Sequence, residues 1–127
     1  MATAGGIGRT AWAIAEGHIP GRSNGPHPEL TSHEAVCILN ASDEGARIEL
    51  TVYYTDREPV RYDLTVPARR TKHVRFNDLT EPESIPLDTD FASVVRSSVP
   101  VVVQHTRLDS RQAENALLST MAFPADE

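Results

Sequence analysis

Apolar positions along this chain recur with a period of two rather than 3.6. In residues 47–55, RIELTVYYT, Ile48, Leu50, Val52 and Tyr54 share one face, with Glu49 and Thr51 on the other. Residues 60–66, VRYDLTV, alternate more cleanly: Val60, Tyr62, Leu64 and Val66 against Arg61, Asp63 and Thr65. Such alternation marks strands with one buried face and one wet face. Continuous apolar runs at 35–39 and 99–103 read as more central strands, and 10–15, 70–76, 91–97 and 116–123 are further candidates. The separators are turn-like: PGRSNGP at 20–26, SDEG at 42–45 and DREP at 56–59. Seven or eight short strands at this spacing predict an all-β fold, an antiparallel β-sandwich or jelly roll formed by residues 1–127 as one domain. The stretch 109–116 suits either a helical turn or two behind an Asp or Ser cap, or a loop. Residues 77–90 are polar and acidic, carry Pro82 and Pro86, and read as a long surface loop. Residues 1–8 and 124–127 are expected to be mobile.

Composition narrows the setting. A chain of 127 residues suits a single domain, which at that size buries roughly two-thirds of its unfolded surface. An apolar content of 39% with 24% charged residues argues against disorder. The start, MATAGGIGRT, lacks the apolar stretch of a secretory leader, and no run approaches the ~18 apolar residues of a membrane span. Cys37 is the only cysteine, so no internal disulfide forms. A cytoplasmic location is the expectation.

Charge changes the picture further, because the net −6 is unevenly spread. Arg61, Arg69, Arg70, Lys72 and Arg75 stand against Asp63 alone, whereas Asp78, Glu81, Glu83, Asp88 and Asp90 follow with no base among them. The overall sign disfavours an extended duplex-DNA footprint, and the local basic strip keeps DNA as a minor reading.

Candidate chemistry is sparse. Residues 6–11, GIGRTA, match the glycine-rich dinucleotide fingerprint in letters, but that motif must follow a strand and open a helix. Cys37 lies in the apolar run Ala-Val-Cys-Ile-Leu and reads as a small core residue. Trp12 reads as a core or interface anchor. His33, His73 and His105 lie in or beside predicted strands without the close spacing of a metal site, so hydrogen-bonding roles are expected and no metal or cofactor is assigned. In residues 71–76, His73 shares a face with Thr71 and Arg75; in 99–108, His105 shares one with Val101, Val103 and Arg107. The densest positive feature is PARRTKHVR at 67–75. Arg69, Arg70, Lys72, His73 and Arg75 are candidates for docking a partner or anion, since guanidinium forks match carboxylates and phosphates. The plainer alternative is a solvated edge strand neutralised by the acidic loop after it. Arg107, Asp109, Arg111 and Glu114 look like an ion-pair cluster at a corner or a subunit interface, and His105, Arg107, Asp109 and Arg111 complete the candidates. No catalytic constellation is visible, so an enzyme is not expected.

Four stretches resemble the Anabaena-type sensory rhodopsin transducer family: WAIAEG at 12–17, HE at 33–34 leading into VCILN at 36–40, VPARRTKHVRFND at 66–78, and QHTRLDSRQAENA at 104–116. The resemblance runs from about Ile7 to Ala122. It implies a β-sandwich of jelly-roll character similar to carbohydrate-binding modules, assembled as a homo-oligomer, a four-fold tetramer. It further implies a cytoplasmic partner for the inner surface of a membrane rhodopsin, without chemistry of its own. Sugar-like ligands and DNA are the alternatives it leaves open; Tyr53, Tyr54 and Tyr62 are the aromatics available for sugar stacking.

Overall fold

The period-two segments become strands because alternation lets each pleated segment bury one face while its other face stays hydrated. The computed structural model describes residues 6–125. Its strands are β1 (Arg9–Ile14), β2 (His33–Asn40), β3 (Ala46–Tyr54), β4 (Val60–Val66), β5 (Arg70–Arg75), β6 (Phe91–Asp109), β7 (Ala116–Met121) and β8 (Phe123–Pro124), with a 3-10 turn at Phe76–Asp78. Every ladder is antiparallel.

The principal departure from expectation is β6. Segments 91–97 and 99–108 are one strand of 19 residues. Its first half pairs with β3 and β1, from Phe91 to Ser97, and its second half with β2 and β7, from Val102 to Asp109. Two sheets result, β4-β3-β6-β1-β8 and β5-β2-β6-β7, sharing β6. Pro100 sits between the two ladders, where neither β3 nor β2 requires its missing N–H. At the same level the β1 register slips between Arg9 and Ala11, a bulge that lets β1 follow the bend. The Trp12 indole ties this corner, donating to the carbonyls of Val101 at 2.9 Å and Arg9 at 3.2 Å. Gly8, at φ 104°, opens β1; a Cβ there would meet the Val101 carbonyl oxygen at 2.1 Å, so only glycine fits. GIGRTA therefore leads into a strand, not a helix.

Side chains from both sheets meet in one core. Ile48, Leu50, Val52, Tyr62 and Val66 come from the first sheet, Val36, Ile38 and Val74 from the second, and Val95, Val101 and Val103 from the shared strand. This arrangement is consistent with an all-β sandwich. The acidic segment after β5 is a loop, as expected, but it is pinned: Leu79 and Ile85 are buried, and Phe76 meets Phe91 edge-to-face at 5.2 Å. Residues 109–116 do not form a helix; Asp109 instead accepts the Arg111 backbone N–H at 3.1 Å. Of the ends expected to be mobile, residues 1–5 and 126–127 lie outside the described residues, and Pro124 is paired with Trp12.

Cys37 is corrected. It is half-buried on the outer face of the second sheet, opposite His73 and Gln104, because Val36 and Ile38 take the core face. The run 35–39 is apolar on both faces; the outer one is buried at Ala35, half-buried at Cys37 and exposed at Leu39.

Candidate functional site

A polar side chain on the core face of a strand must be matched, since burying an unpaired charge costs several kcal/mol. Glu34 occupies such a position. It precedes Val36 and Ile38 on the inward face of β2 and is 0% exposed. Register supplies its partners: Glu34 lies opposite Arg107, and Val36 opposite His105. Arg107 Nε donates to Glu34 Oε2 at 2.5 Å, and His105 Nε2 hydrogen-bonds Glu34 Oε1. The backbone N–H of His18 donates to Oε2 at 2.9 Å. One carboxylate thus accepts from three donors, two on β6 and one in the β1–β2 connection.

The network extends to the surface. Arg107 Nη2 is buried without a hydrogen bond and lies 3.6 Å from the exposed Glu16 carboxylate. Asn77, after β5, accepts the Glu34 backbone N–H at 3.4 Å and donates to the Ser32 carbonyl at 3.0 Å. The His18 ring pairs with Asp90 at 2.9 Å, fastening the acidic loop to the β1–β2 connection. Behind it, Ser32 and Ser110 bond to each other in the interior.

Of the sequence candidates, His105 and Arg107 therefore meet on Glu34, which sequence reading did not single out. The available signal was an acid in phase with the core positions Val36 and Ile38. Asp109 and Arg111 form a separate bidentate pair, Nε to Oδ1 at 3.0 Å and Nη2 to Oδ2 at 2.6 Å. That bonding holds the Asp109 carboxyl down at about 2 and raises Arg111. With Arg22, Gln112 and Glu114 they line a cavity of about 320 Å³ at the corner.

The basic strip is not one surface. Residues facing each other across a ladder share a face, so Arg70, Lys72 and Val74 align with Asn40, Ile38 and Val36, while Thr71, His73 and Arg75 align with Leu39, Cys37 and Ala35. Lys72 Nζ donates to the Thr65 carbonyl at 2.9 Å, bridging the two sheets at their open edge. Arg75 donates to the Pro28 carbonyl at 3.2 Å, and Arg70 to the Arg69 carbonyl at 3.0 Å. Arg69 stands at the turn with φ 54° and pairs with Asp43 at 2.8 Å. Among the described residues no ion pair joins the strip to the acidic loop. His33, His73 and His105 do not converge: His33 bonds the Thr31 carbonyl and His73 faces outward. Among the described residues no group of three His, Cys, Asp or Glu side chains is placed to hold a metal ion. Tyr53, Tyr54 and Tyr62 form no common platform; Tyr62 is buried and Tyr54 stacks under Arg57 at 4.8 Å.

The family model of the Anabaena sensory rhodopsin transducer matches residues 7–124. The chain belongs to this family. A solved structure named as the Anabaena sensory rhodopsin transducer is 70% identical, covers 80% of this chain, is itself covered over 97%, and superposes with a TM-score of 0.72. A crystal structure of Thermotoga maritima 1070 is 31% identical over 94% of this chain and 97% of its own, with a TM-score of 0.85. No curated protein matches. Each of the four stretches that carry the transducer resemblance contributes to the buried network: Glu16, Glu34, Asn77, and His105 with Arg107. No helix among the described residues is long and apolar enough to cross a membrane.

Proposed function

We propose that this protein is a soluble, cytoplasmic, non-enzymatic signalling component that docks as a homo-oligomer on the inner face of a microbial sensory rhodopsin. The observation carrying this reading is the 70% identity to a solved sensory rhodopsin transducer. Charge supports it. Loops that a membrane protein leaves in the cytoplasm carry an excess of Lys and Arg, and a net charge of −6 complements them. The exposed Arg69, Arg70 and His73 of the β5 edge suit the anionic headgroups alongside.

Self-association, as a tetramer, is supported by the C-terminal edge. Among the described residues β7 pairs with β6 alone and leaves Leu117, Leu118 and Met121 exposed, and Phe123 of β8 is 71% exposed. An apolar strand edge of this kind is either an association surface or an aggregation hazard.

Calorimetric titration into a sensory rhodopsin, in detergent and in anionic bilayers, tests the docking. Saturable binding that weakens with salt is expected. Absence of heat or mobility change at low salt overturns the docking. Sedimentation equilibrium tests the assembly: a mass four times that of the chain is expected, falling in a Leu117→Ser/Leu118→Ser variant, and a monomer at all concentrations rejects it. Splitting of the β5 cations between two faces weighs against duplex DNA, whose phosphates would follow one continuous row.

A further inference from the structure

The outer face of the first sheet carries a charged cavity that the buried network does not use and that shares only Lys72 with the β5 edge. It has a volume of about 710 Å³, within the range of roughly 300–1,000 Å³ typical of small-molecule sites. Its floor is the ladder row Leu64–Ile48–Ser97 across β4, β3 and β6. One wall is the row Asp63–Glu49–Arg96. The other is Thr65–Arg47, continued by Ser98, whose Oγ accepts the Arg47 backbone N–H at 2.8 Å. Lys72 closes the β4 end.

The charges in this cavity do not cancel. Glu49 and Asp63 face each other directly, an unfavourable pairing of like charges, and Arg61 resolves it by reaching both, at 3.4 Å and 3.0 Å. Both acids are thereby engaged with one cation. Arg47 and Arg96 remain, exposed at the lip, with no side-chain partner among the described residues. They are diagonal neighbours across β3 and β6, a separation of about 7–8 Å at the backbone. Two long guanidinium side chains at that distance can converge on one anion or hold the two ends of a small dianion. Lys72 adds a third positive charge, and Ser98 adds a hydroxyl. A local excess of cations on a chain of net charge −6 is what an anion site requires, since it focuses potential where the rest of the surface repels.

We infer that this cavity binds a small organic anion through its carboxylate or phosphate groups, with Arg47 and Arg96 as the recognising side chains. The site is independent of rhodopsin docking and stands or falls without it.

Thermal unfolding of the full chain tests it, with citrate and inorganic pyrophosphate as probes, glucose as the neutral control, and sodium chloride matched for ionic strength. A concentration-dependent rise in Tm with citrate, pyrophosphate or both is expected, because a ligand of the native state alone must raise stability. Citrate alone assigns a carboxylate ligand, pyrophosphate alone a phosphate. In Arg47→Gln and Arg96→Gln the concentration giving half the rise should increase about tenfold, the loss expected for one charge-assisted bond. Both side chains are exposed, so the unliganded Tm should stay unchanged in each variant. The inference is overturned if neither anion raises Tm, if sodium chloride raises it equally, or if the double variant responds like the parent.

Discussion

Glu34, His105 and Arg107 lie inside the β2–β6 ladder, whereas Arg69, Arg70, Lys72, His73 and Arg75 lie along the β5 edge of the same sheet. The two groups draw on similar residue types, yet their bonding differs in kind. Inside, one carboxylate accepts from His105, Arg107 and the His18 backbone. At the edge, Lys72, Arg75 and Arg70 cap backbone carbonyls, and Arg69 pairs with an exposed Asp43. Burial makes each inner charge obligatory to the others; water makes each outer charge dispensable to the fold. Density of charge along the sequence is therefore a poor guide to structural weight, and the edge is free to be shaped by partners instead.

The contrast breaks most visibly at Glu34. Glu34→Ala leaves His105 and Arg107 unmatched and should cost about 3–5 kcal/mol of folding stability, measured by urea unfolding. Glu34→Gln keeps an acceptor and should cost less. A loss under about 1 kcal/mol for Glu34→Ala would place this cluster with ordinary surface pairs.

Tyr62 sharpens the same point without a charge at neutral pH. Its hydroxyl donates to the Glu83 carbonyl at 2.6 Å, and burial, with lesser help from Tyr54 and Glu83, pushes its pKa up to about 12. A folded value above the unfolded one, about 10, gives stability that is present below pH 10 and lost as pH rises toward 12. Tyr62→Phe should remove that alkaline sensitivity and cost about 1 kcal/mol at neutral pH; phenolate absorbance during base titration reads the parent.

Asp109 stands between the two regimes. The Arg111 side chain holds its carboxyl at about 2, so the pair contributes above the unfolded value near 4 and is lost as pH falls toward 2. Partial exposure screens it, and Asp109→Asn should cost under about 1 kcal/mol. Acid unfolding midpoints of parent and variant should converge at the low end.

At the edge, Arg70→Gln and Arg75→Gln should change Tm within the noise of a surface substitution, about ±0.5 kcal/mol, while weakening attachment of the protein to a rhodopsin in anionic bilayers. A large loss of stability in either would erase the distinction between edge and interior.

Much of the fold is legible in the alternation of 46–54 and 60–66, where each residue's parity states its face. The inner cluster is only half legible. His105 and Arg107 draw attention by type, but Glu34 at the start of an apolar run looks like the last wet residue before a strand. Only the ladder that sets it against Arg107, 73 residues later, reveals a core position. The opposite error occurs at Cys37 and Leu39, where a continuous apolar run implies burial on both sides. There the outer face is only half-covered at Cys37 and is exposed at Leu39. Pro100 misleads for a third reason: it lies inside the run 99–103, which reads as a strand separate from 91–97, whereas it occupies the point within β6 where the strand changes partners and no ladder bond is needed.

That exchange of partners sets the order in which the protein can be made. Among the described residues β1 has no neighbour except β6 and β8, β3 pairs otherwise only with β4, and β2 only with β5. A nascent chain that has not yet reached β6 therefore holds two loose hairpin-like pairs and an orphan strand, each too small to stand alone. Neither sheet can close until the ribosome has released Phe91–Asp109. Folding then waits for that segment, with the apolar faces of β2 and β3 uncovered until the strand that both must share is available.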